Sequence, residues 1–140
     1  MRIIFDPTTL HQSKVGSVTG VVFFDFGSAG QFPGPGWNDF VVVVLTWWMA
    51  AVEELIRGSE QVCFRFMDGP YWISAIAHGQ NILLRCTENR ARAGVLHEFV
   101  VSIEELKREL TTVSSQLLSA CKETGIQSVA LNELSRYLAN

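Results

Sequence analysis

A chain of 140 residues with 48% hydrophobic and 18% charged residues is long enough to bury about two-thirds of the surface its unfolded form exposes, which argues against disorder and against dependence on covalent staples. Its net charge of −3 supplies no broad cationic field for phosphates, so nucleic acid is not an expected partner. Cys63, Cys86 and Cys121 are far apart and form no CxxC pair, so they indicate neither a disulfide framework nor a zinc site and read as small buried hydrophobes.

The amino terminus carries one Arg and a short apolar stretch broken by Asp6 and Pro7. That is too short for a signal-peptide core, and a cytoplasmic location is expected. Residues 2–5 and 15–26 are rich in Val, Ile and Phe and are bounded by Asp6-Pro7, Gly16 and the run from Gly27 to Gly30. They read as two strands of a hairpin. The following GSAGQFPGPG has glycines enough to suggest a phosphate cradle, but it lacks both the P-loop lysine and a GxGxxG pattern, which leaves a bent connection.

Residues 40–56 combine strand propensity in FVVVVL with helical length and helical ends. Asn38 or Asp39 can cap the start, Glu53 and Arg57 have i,i+4 spacing, and Gly58 offers a stop, so a helix is expected, largely buried because its apolar residues surround most of the circumference. Residues 40–52 are apolar apart from Thr46, yet this segment falls short of the roughly 20 residues a membrane-spanning helix needs. Trp47 and Trp48 point about 100° apart on such a helix, so at least one should enter the core.

Residues 61–68, 71–78, 81–88 and 95–101 then describe a four-strand antiparallel meander, punctuated by Gly69-Pro70, Gly79-Gln80 and a longer connection over residues 89–94. Two-residue turns at the first two corners would set Val62, Phe64 and Phe66 beside Ala77, Ala75 and Ile73, and these beside Ile82, Leu84 and Cys86, making one face continuously apolar. The other face would carry Arg65, Ser74 and Arg85 in one row, bordered by Met67, Trp72, Ile76 and Leu83. A mixed face of this kind must be covered by another element or offered to a partner. Ser102 and Glu105 form a capping box before a helix over residues 103–124; Gly125 ends it, and Ser128 caps a short last helix. No repeat or linker divides the chain, so residues 1–140 form one α+β domain in which a sheet from the hairpin and the meander packs against one central and two carboxy-terminal helices.

The chemistry-bearing residues do not assemble into a catalytic set. His11, His78 and His97 have no metal-ligand spacing, so no metal site, cofactor or catalytic residue is expected. Asp68 in the Met67-Asp68-Gly69-Pro70 turn and Asp39 at a helix start both have structural roles available, accepting turn amides and complementing the helix dipole. Arg85, Arg90 and Arg92 could grip carboxylates or phosphates, although Glu88 and Glu98 can neutralise them. Trp72, beside Arg65, Ser74 and Arg85, lies where an interface anchor would be expected.

The residues Phe32-Pro33, Trp37-Asn38-Asp39-Phe40, Trp48 and Phe66 to Tyr71 resemble the pattern of small bacterial proteins of the polymorphic-toxin immunity type, over about residues 32–71. The resemblance implies a cytoplasmic α+β protein that binds and neutralises a cognate toxin and has no catalytic residues. The expected function is therefore a non-enzymatic binding protein with a protein partner, and Arg65, Trp72, Ser74, Arg85, Arg90 and Arg92 are its expected contact surface. One alternative is a small hydrolase using His78 or His97 with Asp68. Another is an assembly subunit whose mixed face is buried in a homo-oligomer.

Overall fold

The computed structural model describes residues 1–89 and 94–139. Its first strand, β1 (Arg2–Gln12), runs through Pro7 instead of ending before it and pairs antiparallel with β2 (Val18–Asp25). Between Asp6 and His11, β1 takes five steps while β2 takes two from Val21 to Thr19, so three residues of β1 bulge out. The bulge satisfies its own polar groups. Asp6 Oδ1 accepts from the Thr8 amide at 3.0 Å and the Thr8 hydroxyl at 2.7 Å. The Thr9 hydroxyl accepts the Val21 amide at 2.8 Å, standing in for a ladder carbonyl. Pro7, which has no N–H to lose, fits where the ladder is already open.

Two short strands, β3 (Gln31–Phe32) and β4 (Asn38–Asp39), also pair with β2 and complete the first sheet. The helix α1 follows at Val41–Ile56, close to its expected bounds. Neither expected cap operates: Asn38 and Asp39 belong to β4, and Phe40 occupies the N-cap position with no side-chain hydrogen bond. The β-branched run enters a helix because tertiary burial outweighs strand propensity. Val41, Val44, Leu45, Trp48 and Val52 are all fully buried, and the Thr46 hydroxyl donates to the Val42 carbonyl at 2.8 Å, so the helix introduces no unpaired polar group.

The meander forms as expected and is a second, separate sheet, ordered β5 (Gln61–Arg65), β6 (Tyr71–His78), β7 (Asn81–Glu88), β8 (Val95–Ser102). Its β6–β7 register is the one counted from a two-residue turn, with Ala77 opposite Ile82, Ala75 opposite Leu84 and Ile73 opposite Cys86. The β5–β6 register is displaced by two residues, with Val62 opposite Ala75 and Phe64 opposite Ile73. The reason is the connection: Phe66 N–H donates to the Tyr71 carbonyl, so Met67, Asp68, Gly69 and Pro70 all lie in the turn. A shift of two leaves every side chain on its expected face.

The α+β architecture therefore stands, with hairpin and meander as two sheets whose inner faces meet. Phe24 of β2 lies 6.4 Å from Phe64 and 5.2 Å from Trp48 between ring centroids, and Phe26 stacks on Phe99 at 3.8 Å. The helix α2 (Ile103–Thr124) packs along β1 and α1, burying Leu106, Leu110, Val113, Leu117 and Cys121. Ser102 Oγ accepts the Glu105 amide at 3.0 Å, but the reciprocal bond from the Ser102 amide to the Glu105 carboxylate is not made among the described residues. Gly125, at φ 72°, ends the helix in the left-handed conformation. Ser128 then caps α3 (Val129–Leu138) through the Leu131 amide. Among the described residues no helix is long and apolar enough to cross a membrane.

Candidate functional site

Residues from both ends of the 32–71 stretch converge on one buried carboxylate. Asp39 is 1% exposed. Its Oδ1 accepts the Phe40 amide at 2.7 Å, and its Oδ2 accepts the Trp37 indole N–H at 3.0 Å and the Asp68 amide at 3.3 Å. Around it Trp37 meets Tyr71 edge-on at 5.2 Å, Phe32 meets Tyr71 at 5.6 Å, and Trp48 meets Phe66 at 5.1 Å. Gly69 sits against this cluster. A Cβ there would stand 2.8 Å from the Trp37 ring, on a backbone with φ of 73°. The junction ties the start of α1 to the β5–β6 turn through three donors on one carboxylate. Asp39 was expected to cap the helix start or to complement its dipole; the Trp37-x-Asp39 spacing is the sequence signal for its larger role.

The Asp68 amide is engaged here, whereas its expected use was as a side-chain acceptor. His78 stands at the far end of β6, beyond Tyr71 by about 23 Å of extended strand. His97 lies on β8, two strands from β6 and therefore about 10 Å away laterally. The hydrolase alternative's imidazole–Asp68 pair is thus not brought together. Among the described residues no group of three His, Cys, Asp or Glu side chains could hold a metal ion. Surface grooves among the described residues include one of about 690 Å³ between the end of α2 and α3 and one of about 640 Å³ between α2 and the β1 bulge. Their linings, chiefly Leu118, Ile126 and Leu131 in one and Thr111, Ser115 and Gln116 in the other, bring together no acid–base pair.

The outer face of the second sheet carries four of the expected contact residues, Arg65, Trp72, Ser74 and Arg85. Its inner face, with Val62, Phe64, Ile73, Ala75, Leu84 and Cys86, is buried against the core. By alternation the outer face carries Arg65 opposite Trp72 and Thr87, then Cys63 opposite Ser74, Arg85 and Glu98, then Gln61 opposite Ile76, Leu83 and Val100. Arg65 therefore lies beside Trp72, one row from the Ser74–Arg85 row in which it was expected, as the two-residue register displacement requires. Ser74 is 8% exposed, shielded by the larger side chains around it, while Arg65 is exposed and Trp72 partly exposed. Arg90 and Arg92 lie outside the described residues.

Arg85 is held without being saturated. Its Nε is 3.7 Å from Glu98 Oε1 and has no hydrogen-bond acceptor. A guanidinium anchored on one side and solvent-facing on the other can receive a carboxylate in a bidentate manner. The apolar part of the face continues to its rim through Met67 and Val100, which are 41% and 56% exposed. The thiols are of two kinds: burial pushes the Cys86 pKa up to about 12 and raises that of Cys121, while Cys63 lies partly exposed on the outer face. Arg and Trp flanked by aliphatic residues are the residue types that anchor protein interfaces. The chain matches no protein-family model, no curated protein and no solved structure.

Proposed function

We propose that this chain is a non-enzymatic cytoplasmic binding protein of the toxin-immunity type, and that the outer face of the β5–β8 sheet is the surface that engages its toxin. The observation that carries the reading is the row pair Arg65–Trp72 and Ser74–Arg85, in which Arg65 is exposed and Trp72 and Arg85 are partly exposed, on a sheet whose opposite face buries Val62, Phe64, Ile73, Ala75, Ile82, Leu84 and Cys86. An antiparallel sheet can leave one face wet, but that face is then normally polar. This one alternates Trp72, Ile76, Leu83 and Val100 with two guanidiniums, the composition of an interface core. The resemblance over residues 32–71 supplies the toxin as the kind of partner. Those residues build the Asp39 junction and so act as scaffold for the contact surface.

The test begins with a polypeptide that co-purifies with the tagged chain from its native cells. That polypeptide is expressed alone and together with the chain. Growth arrest by the polypeptide alone, relieved by co-expression, is the expected result. A partner that arrests nothing, or an arrest that the chain does not relieve, would overturn the immunity reading.

A further inference from the structure

Of the three longer edge strands of the two sheets, two each make a hydrogen bond with a side chain from a helix. At β1 the Ile3 amide donates to Glu109 Oε1 of α2 at 3.0 Å. At β5 the Arg65 carbonyl accepts the Trp48 indole N–H of α1 at 2.8 Å. The third edge is β8, and no such group reaches it among the described residues.

Which backbone groups β8 leaves open follows from the ladder. Phe66 bonds Tyr71 and the Ala77 amide bonds the Glu60 carbonyl, so the odd-numbered residues of β6 face β5. Its even-numbered residues then face β7 at Leu83 and Arg85, and β7 turns Ile82, Leu84 and Cys86 toward Val101, Phe99 and His97. The Glu88 amide bond to the Gly94 carbonyl agrees with this phase. Glu98 and Val100 consequently point both N–H and C=O away from the sheet, and Ser102 adds a free amide because Glu105 does not take it. Edges are normally blunted by Lys, Pro, a bulge or a covering element. Apart from the Glu98 carboxylate, which lies 3.7 Å from Arg85, the segment from Glu98 to Ser102 has none of these among the described residues, and the irregularity of β8 lies nearer its start, between its pairings with Cys86 and Thr87.

We propose that β8 pairs antiparallel with β8 of a second copy of this chain, on a two-fold axis at Val100, joining two four-stranded sheets into one of eight strands. Register and charge select this occupant. Centred at Glu98, the pairing would set two carboxylates opposite each other, which is destabilising. Centred at Val100, it sets Val100 opposite Val100, Phe99 opposite Val101, and Glu98 opposite Ser102, so apolar residues meet apolar ones and the carboxylate meets a polar residue. Val100 exchanges two hydrogen bonds with its symmetry mate, and each Ser102 amide reaches the other copy's Glu98 carbonyl. The axis is perpendicular to the sheet, so both outer faces with their Trp72 and Arg85 stay on one side. The pairing does not depend on the immunity reading.

Sedimentation velocity on the full chain, at concentrations up to about 1 mM to capture weak edge pairing, should show a dimer. V100K places two cations on the axis and should weaken the dimer at least tenfold with an unchanged circular dichroism spectrum, since Val100 is 56% exposed. Val100 Cα atoms about 5.5 Å apart across the axis suit a disulfide, so V100C should cross-link under mild oxidation. E98C, with its Cα atoms about 14 Å apart, should not. A wild-type monomer throughout that range, a dimer indifferent to V100K, or E98C cross-linking as well as V100C would each overturn the proposal.

Discussion

The Trp37 indole N–H donates to the Asp39 carboxylate at 3.0 Å, and that same oxygen accepts the Asp68 amide from a turn 29 residues further along the chain. One side chain thereby fixes both the connection into α1 and the corner from which the β5–β6 register is set. The proposed contact face depends on this corner, because shifting it would move Arg65 relative to Trp72, Ser74 and Arg85.

Replacing Asp39 by Ala should leave three part-buried donors without their acceptor and lower unfolding free energy by about 1–3 kcal/mol. Asp39→Asn retains one acceptor oxygen and should lose less. Urea denaturation of the two variants measures the order, and an Ala variant no weaker than the Asn variant would show that the carboxylate does not hold the junction.

Gly69→Ala and Gly79→Ala separate crowding from backbone strain. Both glycines have positive φ, but only Gly69 would set a Cβ against a ring, 2.8 Å from Trp37; at Gly79 there is open space. Gly79→Ala should cost about 1 kcal/mol, from the left-handed backbone alone, and Gly69→Ala about 1–3 kcal/mol more, since the ring must move. Equal losses in chemical denaturation would mean that Trp37 yields without resistance.

The buried thiols give a pH dependence whose sign is determined. Cys86 ionises near pH 12 in the folded chain because burial disfavours the thiolate, against a usual value of 9.0. Between those values the unfolded chain has lost a proton that the folded chain keeps, so stability falls as pH rises. The slope from this residue approaches about 1.4 kcal/mol per pH unit. Below pH 9 it contributes no slope. Cys86→Ala should flatten the alkaline decline; Cys121, whose pKa is also raised by burial, accounts for part of what remains. An unchanged decline in Cys86→Ala would rule out Cys86 as its source.

Local signals made most of the fold legible. The helix at Val41–Ile56 was readable from its length and from Gly58 after it, despite its four consecutive valines and although neither Asn38 nor Asp39 caps it, and the β6–β7 register from Gly79-Gln80, whose two residues permit only one count. What escaped depends on side chains acting at a distance. Pro7 reads as a strand end, yet Asp6, Thr8 and Thr9 supply the hydrogen bonds that carry β1 past it. Gly69-Pro70 reads as a two-residue turn, yet the Asp39 carboxylate draws Asp68 into a four-residue corner. That the hairpin and the meander are two sheets is a matter of how Phe24, Phe64 and Phe99 meet, which no local pattern encodes. Arg65, Trp72, Ser74 and Arg85 share one face despite the register error because a displacement of two preserves the side each residue occupies.

The measurement that bears most directly on the proposed contact is a side-by-side capture from native lysate with tagged wild type and Trp72→Ala, quantified by mass spectrometry. The wild type should retain one toxin-like polypeptide at stoichiometric level, and the variant, with an unchanged circular dichroism spectrum, should retain at least about tenfold less, as removal of an interface anchor implies. Equal retention by the two baits would contradict the assignment of the outer sheet face as the contact surface.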